Sequence, residues 1–420
     1  MKAHLRIIAT VLCIGFVLPP LGVHGDSPSG IAVQMLAKNK KVIPLYYRYG
    51  QQWNTDVKLP VIVVANSGHA AGRIRRIDVL GKSGSREMCR LSIYEEDIQA
   101  MIAETVPMLN QLLKDLTNKW NDYNLRKVFG LVPESKDKFR ETTWLERSER
   151  TAIDLPSRFY FHYQGPAKLS KLVIQLWLEA GGKSRTQDFS VPLIPHTCKG
   201  DYIFPLAGNV TLELMPFANS GHRVLPSSEF AFDVSEHRRL GNGRMSSSEP
   251  RRSAHAADYF IFRRDVLAVG DGVVAKTGNG WPDSWMENPL KYSEDRIYDL
   301  TVKLLADGVE FENAYIGNYV IIDHRNGEYS AYVHLSQNTI RVKPGDKVKR
   351  GQVIAKVGNT ANSTEPHLHF QLMDSADYPS ANGLPVMFKN VPTPLPGALD
   401  MDESNTLFVS SFLHIFVKNQ

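Results

Sequence analysis

Pro366-His367-Leu368-His369-Phe370 is the stretch on which the reading of this chain turns. Successive side chains of a strand point to opposite faces, so His367 and His369 project one way while Leu368 and Phe370 pack behind them. Two imidazoles on one face of a rigid strand suit a zinc site, in which one ring binds the metal and its neighbour handles protons. The same pattern also fits a pair of core histidines, and the sequence around it decides between the two. Some thirty residues earlier stands Tyr332-Val333-His334-Leu335. There His334 alternates with Tyr332 on one strand face and can point into the same groove.

A chain of 420 residues is too long for one ordinary domain and implies two. Hydrophobic content of 43% and charged content of 22% exclude a disordered or fully membrane-embedded chain. Lys2 and Arg6 precede the apolar run Ile7 to Leu18, followed by Pro19-Pro20 and small residues near Gly25. Residues 1–25 therefore read as a secretory signal peptide, and the run is too short to favour a membrane span. Beyond it two cysteines remain, Cys89 and Cys198, which an exported protein could pair or leave free. Net charge is only +5, but arginines crowd one stretch: Arg238, Arg239, Arg244, Arg251, Arg252, Arg263 and Arg264. They read as a solvated basic loop, with contact to an anionic polymer as the alternative. No basic segment is interleaved with aromatics in the manner of a nucleic-acid module, so that class of partner is set aside.

The pattern predicts a mainly β protein. Residues 26–198 form the first domain, with β-branched and aromatic alternation in Val57 to Ala65, Arg73 to Leu80, Arg158 to Tyr163 and Leu172 to Leu178, as in a small sandwich. A helical segment near 95–127 interrupts them. Its Ile98, Ile102, Val106, Leu109, Leu112, Leu113 and Leu116 make one apolar face that packs on its own domain. Residues 199–391 form the second domain, of short strands with glycine turns, and residues 235 to 257 read as a long surface loop within it. Val266 to Asn279 and Val348 to Asn359 echo each other, each with a Gly-centred turn, an apolar strand and a final Gly-Asn. That echo indicates duplicated strand–turn–strand units. In the tail, 392–420, the apolar end Leu407 to Val417 reads as an edge strand.

Several motifs stand in order before the two histidines: Gly317-Asn318-Tyr319-Val320-Ile321-Ile322-Asp323-His324, then Tyr329 to Ser336, Val342-Lys343-Pro344-Gly345-Asp346-Lys347-Val348, and Gly358-Asn359-Thr360 before Ser363 to Phe370. Together, over residues 262 to 390, they closely resemble the catalytic domain of the lysostaphin-like (LytM-type) zinc metalloendopeptidases. The resemblance implies a β scaffold of the duplicated hybrid motif kind and hydrolysis of peptide bonds in peptidoglycan peptides. It makes His369 a zinc ligand, and His334 and His367 the two catalytic histidines that do not bind metal. Those roles suit the residues: a neutral imidazole acts as general base, and an imidazolium steadies an oxyanion or protonates a leaving amine. No H-E-x-x-H segment exists, which excludes a helical zincin site.

The resemblance also calls for an upstream H-x-x-x-D, and here the chain departs from it. Phe230-Ala231-Phe232-Asp233-Val234 resembles the strand that carries the ligand Asp, yet Glu229 stands where the His belongs. The nearest preceding histidine, His222, is eleven residues before Asp233. His255-Ala256-Ala257-Asp258 has both residue types but is one residue short, and on an extended strand the two would face opposite sides. Asp233 is preferred, with His222 as the loop-supplied ligand, ahead of Glu229 with Asp233 and of His255 with Asp258. His69, His162, His196 and His237 read as ordinary polar groups, and His324 as part of a hairpin at Asn326-Gly327.

The expectation is an exported zinc endopeptidase, periplasmic or extracellular, acting on the peptides of peptidoglycan. Its rival is a metal-free relative that keeps the fold as a wall-binding or regulatory module, which the irregular upstream motif favours. A lipoyl-like carrier hairpin would account for Val342 to Val357 but has no use for Pro366 to Phe370.

Overall fold

The computed structural model of the chain describes residues 31–36, 42–49, 51–59, 61–66, 71–119, 139–155, 161–206, 211–214, 226–241, 243, 245–248, 255–283, 309, 312–363, 365–379, 381–386, 388–390 and 413–416. The expected signal segment and His222 lie outside them. The chain divides into two compact units between His196 and Thr197. Strands dominate both units, in keeping with the mainly β class.

In the first unit β1 (Ile31–Leu36), β2 (Leu45–Tyr49), β3 (Gln52–Val57), β4 (Val61–Asn66), β5 (Gly72–Ser83) and β6 (Arg86–Tyr94) precede α1 (Glu95–Lys119). After it come β7 (Trp144–Leu145), β8 (Arg150–Asp154), β9 (Phe161–Gly165), β10 (Lys171–Ala180) and β11 (Lys183–Pro192). They form three antiparallel sheets, β1-β4-β8, β2-β3-β9 and β11-β10-β5-β6, with β7 on the flank of β5. The single strand expected over Val57 to Ala65 is broken: Val57 closes β3, and β4 opens only at Val61. A proline occupies position 60 in that gap and has no N–H to give to a ladder. Helix α1 begins with Glu95, Glu96 and Asp97, carboxylates that suit the positive end of its dipole. Ile98, Ile102, Val106 and Leu109 are fully buried and the helix packs on β8, β5 and β6 of its own unit. The part of the expected helix beyond Trp120 lies outside the described residues. Neither Cys89 nor Cys198 forms a disulfide.

The second unit holds β12 (Thr211–Leu214), β13 (Phe232–Glu236), β14 (Arg238–Arg239), β15 (Met245–Ser246), β16 (Asp265–Leu267), β17 (Gly272–Gly278), β18 (Tyr319–Asp323) and β19 (Tyr329–Val333). They are followed by β20 (Lys347–Val348), β21 (Val353–Lys356), β22 (Leu368–Met373), β23 (Gly383–Leu384) and β24 (Leu413–Phe416). One antiparallel sheet runs β20-β17-β18-β19-β22-β13-β12-β24, with β23 beside β22. The apolar end of the tail thus lies at the outer edge of this sheet, as β24 against β12.

The two sequence echoes interlock. β16 pairs with β21 and β17 with β20, so each strand–turn–strand unit clasps the other. Across the clasp Ala268 N–H donates to the Gln352 carbonyl and Gly351 N–H to the Ala268 carbonyl, both at 2.9 Å. The Asp271 carboxylate accepts the Arg350 N–H at 2.8 Å.

The expected surface loop over 235 to 257 is in part ordered structure. β13 runs through Glu236, and β14 and β15 form a small hairpin after it. The cause is Glu236, which is buried and would be costly without partners. Arg238 Nε donates to it at 2.6 Å and Arg264 at 2.9 Å, so part of the arginine cluster anchors the fold. Arg238 also lies 4.5 Å over the Phe260 ring.

Candidate metal centre

The site is assembled on the centre of the large sheet, where β22 lies between β13 and β19. Asp233 stands directly opposite His369 in the β13–β22 ladder, flanked by the pairs Phe232 with Phe370 and Val234 with Leu368. Directly opposed residues of an antiparallel pair share a face. Phe232, Val234, Leu368 and Phe370 are all buried, and Tyr332 meets Phe370 edge-on at 5.3 Å behind the site. That core fixes the register and leaves Asp233 and His369 together on the other face, as the H-x-H alternation predicts.

The polar face is closely set. Asp233 Oδ1 lies 3.0 Å from His369 Nδ1 and 3.4 Å from His367 Nε2. The His334 ring centre is 4.9 Å from that of His367 and 5.9 Å from that of His369. The four residues therefore form one cluster. His334 arrives there by a route that strand alternation does not describe: β19 ends at Val333, and His334 has a φ of 59°. This left-handed backbone is uncommon outside glycine and clusters at functional sites.

Each ring is held by its other nitrogen. His334 Nδ1–H donates to the Thr360 carbonyl at 2.8 Å, and His367 Nδ1–H donates to the Glu365 carbonyl at 2.8 Å. A carbonyl only accepts, so both tautomers are settled and both Nε2 atoms are left for the site. Thr360 is locked in turn: its Oγ1 accepts the Asn318 N–H at 3.1 Å and lies 3.2 Å from the Leu335 carbonyl. Asn318 Nδ2 donates to the same Leu335 carbonyl at 3.0 Å and to Trp281 at 2.8 Å. The Asn318 and Thr360 motifs were visible in sequence, but their task of gripping His334 was not.

Burial first, and then the neighbouring His367 and His369, hold His334 well below the ordinary histidine range. His367 ends on the other side. Burial pulls it down, but the Asp233 carboxylate and the Glu365 carbonyl outweigh that and leave it above its ordinary value. Two rings 4.9 Å apart are thus driven toward opposite protonation states.

His369 donates its Nε2–H to Gln371 Oε1 at 2.8 Å. In the neutral ring this turns the Nδ1 lone pair toward the Asp233 carboxylate, 3.0 Å away. Either a proton held on Nδ1 or a metal ion reconciles these two groups, and a nitrogen–oxygen donor pair suits zinc. Among the described residues, however, no group of three His, Cys, Asp or Glu side chains is arranged to hold a metal ion. The residues fit a metal by two donors, and the third ligand read from sequence, His222, lies outside the described residues.

The competing upstream residues stand at two short 3₁₀ turns. Glu229 follows the short 3₁₀ turn Pro226–Ser228 and joins no metal-capable group with Asp233 and His369. His255 and Asp258 share a second 3₁₀ turn, in which the Asp258 carboxylate accepts the His255 N–H at 3.2 Å. His324 is a structural ring: Nδ1–H donates to the Asp271 carbonyl at 2.9 Å, and Nε2 lies 2.8 Å from Ser330 Oγ.

Residues 301–382, which include His334, His367 and His369, match Peptidase family M23. The chain is 52% identical over 59 residues to the peptidoglycan DD-endopeptidase ShyA of Vibrio cholerae, covering 14% of this chain and 13% of ShyA. It is 34% identical over 111 residues to the peptidoglycan DD-endopeptidase ShyB of the same organism, covering 26% of this chain and 24% of ShyB. The chain therefore spans no more than about a quarter of the length of these relatives. The catalytic domain of lysostaphin from Staphylococcus simulans covers 33% of this chain at 22% identity, with 85% of that domain aligned. Its TM-score of 0.20 is too low to carry weight. Asp233 lies outside the segment matched to M23, so its place in the site rests on the β13–β22 pairing and on its contacts with His369 and His367.

Proposed function

We propose that this chain is an exported zinc metalloendopeptidase that hydrolyses peptide bonds in peptidoglycan. The observation that carries the reading is the meeting of one Asp233 oxygen with the ring nitrogens of His369 and His367 beside a neutral, buried His334. The endopeptidase names of the M23 relatives support the substrate class. The start of the chain, with Lys2 and Arg6 before Ile7 to Leu18, supports export. Among the described residues no helix is long and apolar enough to cross a membrane.

Asp233 and His369 would hold the zinc, with His222 as the third ligand. Zinc held there would supply Lewis acidity toward a peptide carbonyl and lower the pKa of a bound water. His334, neutral and anchored through Nδ1–H, offers Nε2 as the proton acceptor a general base needs. His367, anchored through Nδ1–H with Nε2 turned to the same site, would as an imidazolium offer positive charge to a developing oxyanion and a proton to the departing amine. The two histidines thus divide the proton traffic that a single residue would otherwise have to handle in sequence.

The irregular upstream motif, with Glu229 four residues before Asp233 where a His belongs, favours one rival, a metal-free module that binds the wall without cutting it. Zinc content and turnover of purified peptidoglycan separate the two, measured for wild type and His369→Ala. Near-stoichiometric zinc with turnover lost in the variant supports the enzyme. A folded wild type without zinc or turnover supports the module.

A further inference from the structure

His369 and Gln371 stand two residues apart on β22 and so share a face. Gln371 is completely buried, and its Oε1 collects three donors. They are His369 Nε2–H at 2.8 Å, the Ser228 hydroxyl at 2.8 Å and the Tyr378 hydroxyl at 3.0 Å. Ser228 comes from the 3₁₀ turn five residues before Asp233, and Tyr378 from the loop after β22. Both are buried, at 3% and 1% exposure. The amide nitrogen of Gln371, equally buried, has no partner. The fold therefore commits the oxygen of this amide to three donors while its N–H goes unpaired, an arrangement that buried amides rarely tolerate without a role.

We propose that Gln371 is the positioning residue of the metal centre. Its oxygen takes the Nε2–H of His369 and so fixes the ring tautomer in which Nδ1 is free for the ion beside Asp233. The inference rests on the reading of Asp233 and His369 as metal ligands. A metal-binding histidine generally gives its other N–H to an outer acceptor, which sets tautomer and ring orientation. In this amide orientation Ser228 and Tyr378 add their hydroxyl donors to the same oxygen, and the Tyr378 hydroxyl also lies 3.4 Å from His369 Nε2. The reverse amide orientation would offer N–H to His369 Nε2, move the ring proton to Nδ1 and block the ligand position.

The test uses the full chain as wild type, Gln371→Glu and Gln371→Met. Glu keeps a side-chain oxygen, whereas Met keeps the length and apolar bulk without a comparable acceptor. Proton–nitrogen correlation spectra of the metal-free chain, labelled at its 13 histidines, report the His369 tautomer, the ring being identified by its loss in His369→Gln. Zinc affinity is measured in parallel by chelator competition. The expected result is an Nε2–H ring in wild type and Gln371→Glu and a mixed tautomer in Gln371→Met. Zinc affinity should fall by about 10- to 100-fold in Gln371→Met and be rescued in Gln371→Glu. An Nδ1–H ring in a wild type that binds zinc overturns the role of Gln371 alone, as does failure of Gln371→Glu to rescue. An Nε2–H ring in a wild type that takes up no zinc overturns the metal reading itself.

Discussion

Asp233 and His369 face each other across β13 and β22 with Oδ1 and Nδ1 3.0 Å apart, although 136 residues separate them in the chain. The apolar pairs on either side hold that register, because a slip of one residue would send both groups to the other face. Asp233→Asn tests this juxtaposition with little change of shape. The amide carries no charge and is a poor zinc ligand, so zinc affinity should fall by more than the ~10–100-fold typical of outer-shell changes. Chelator competition on a variant with an unchanged circular dichroism spectrum measures it. Wild-type affinity in that variant would remove Asp233 from the site.

His334→Asn should separate proton handling from metal binding. Asparagine tolerates the left-handed backbone that this position adopts, so the turn survives while the imidazole is lost. Peptidoglycan turnover should drop by about 10²–10⁴-fold, the usual contribution of a general acid or base. Zinc content should be that of wild type. Turnover within about tenfold of wild type would deny His334 a part in proton transfer.

Gly358→Ala probes how the loop that grips His334 is seated. A Cβ at Gly358 would lie 2.3 Å from the Ser336 backbone nitrogen, and backbone cannot move aside as a flexible side chain does. Two residues on, the Thr360 carbonyl holds His334 Nδ1–H. The substitution should destabilise the second unit by about 1–3 kcal/mol, the scale of overpacking, read as a lowered chemical-denaturation midpoint. It should also reduce turnover by shifting the His334 anchor. An unchanged midpoint would show that the close approach of the two segments is relieved at no cost.

How far the sequence revealed this arrangement depended on the range of the interaction. The shared face of His367 and His369 was legible because strand alternation is local, and the duplication of β16–β17 and β20–β21 because the units repeat, whereas their mutual clasp was not. Asp233 was legible only by likeness to a motif, since pairing with His369 is a contact between distant segments. Gln371 carried a sequence signal, the same spacing of two from His369, but Ser228 and Tyr378 did not: a tertiary hydrogen-bond cluster leaves no period to read. The left-handed turn at His334 was hidden for a different reason, because such a backbone in a non-glycine residue is imposed by its surroundings. The arginine cluster was legible as charge but not as structure, since sequence does not show the buried Glu236 to which exposed Arg238 and part-buried Arg264 donate.

His324 supplies a dependence of stability on pH that is separate from catalysis. Its ring packs against Tyr202 with centres 4.8 Å apart, and burial holds it below the ordinary histidine value of 6.5 despite the nearby Asp271 carbonyl and the Glu328 charge. At pH values above about 6.5 the ring is neutral in both folded and unfolded chains and adds no pH dependence. As pH falls through that value the unfolded chain takes up a proton that the folded one resists, so stability rises with pH in this window and drops on acidification. The loss continues until pH passes below the depressed folded value. His324→Gln removes the titrating group while keeping a donor for the Asp271 carbonyl and an acceptor for Ser330. Denaturation midpoints of the second unit, followed from about pH 8 to pH 5, should therefore fall more steeply in wild type than in the variant. Parallel curves would mean that His324 is free to take up its proton in the folded chain, and that the hairpin at Asn326-Gly327 does not shield it.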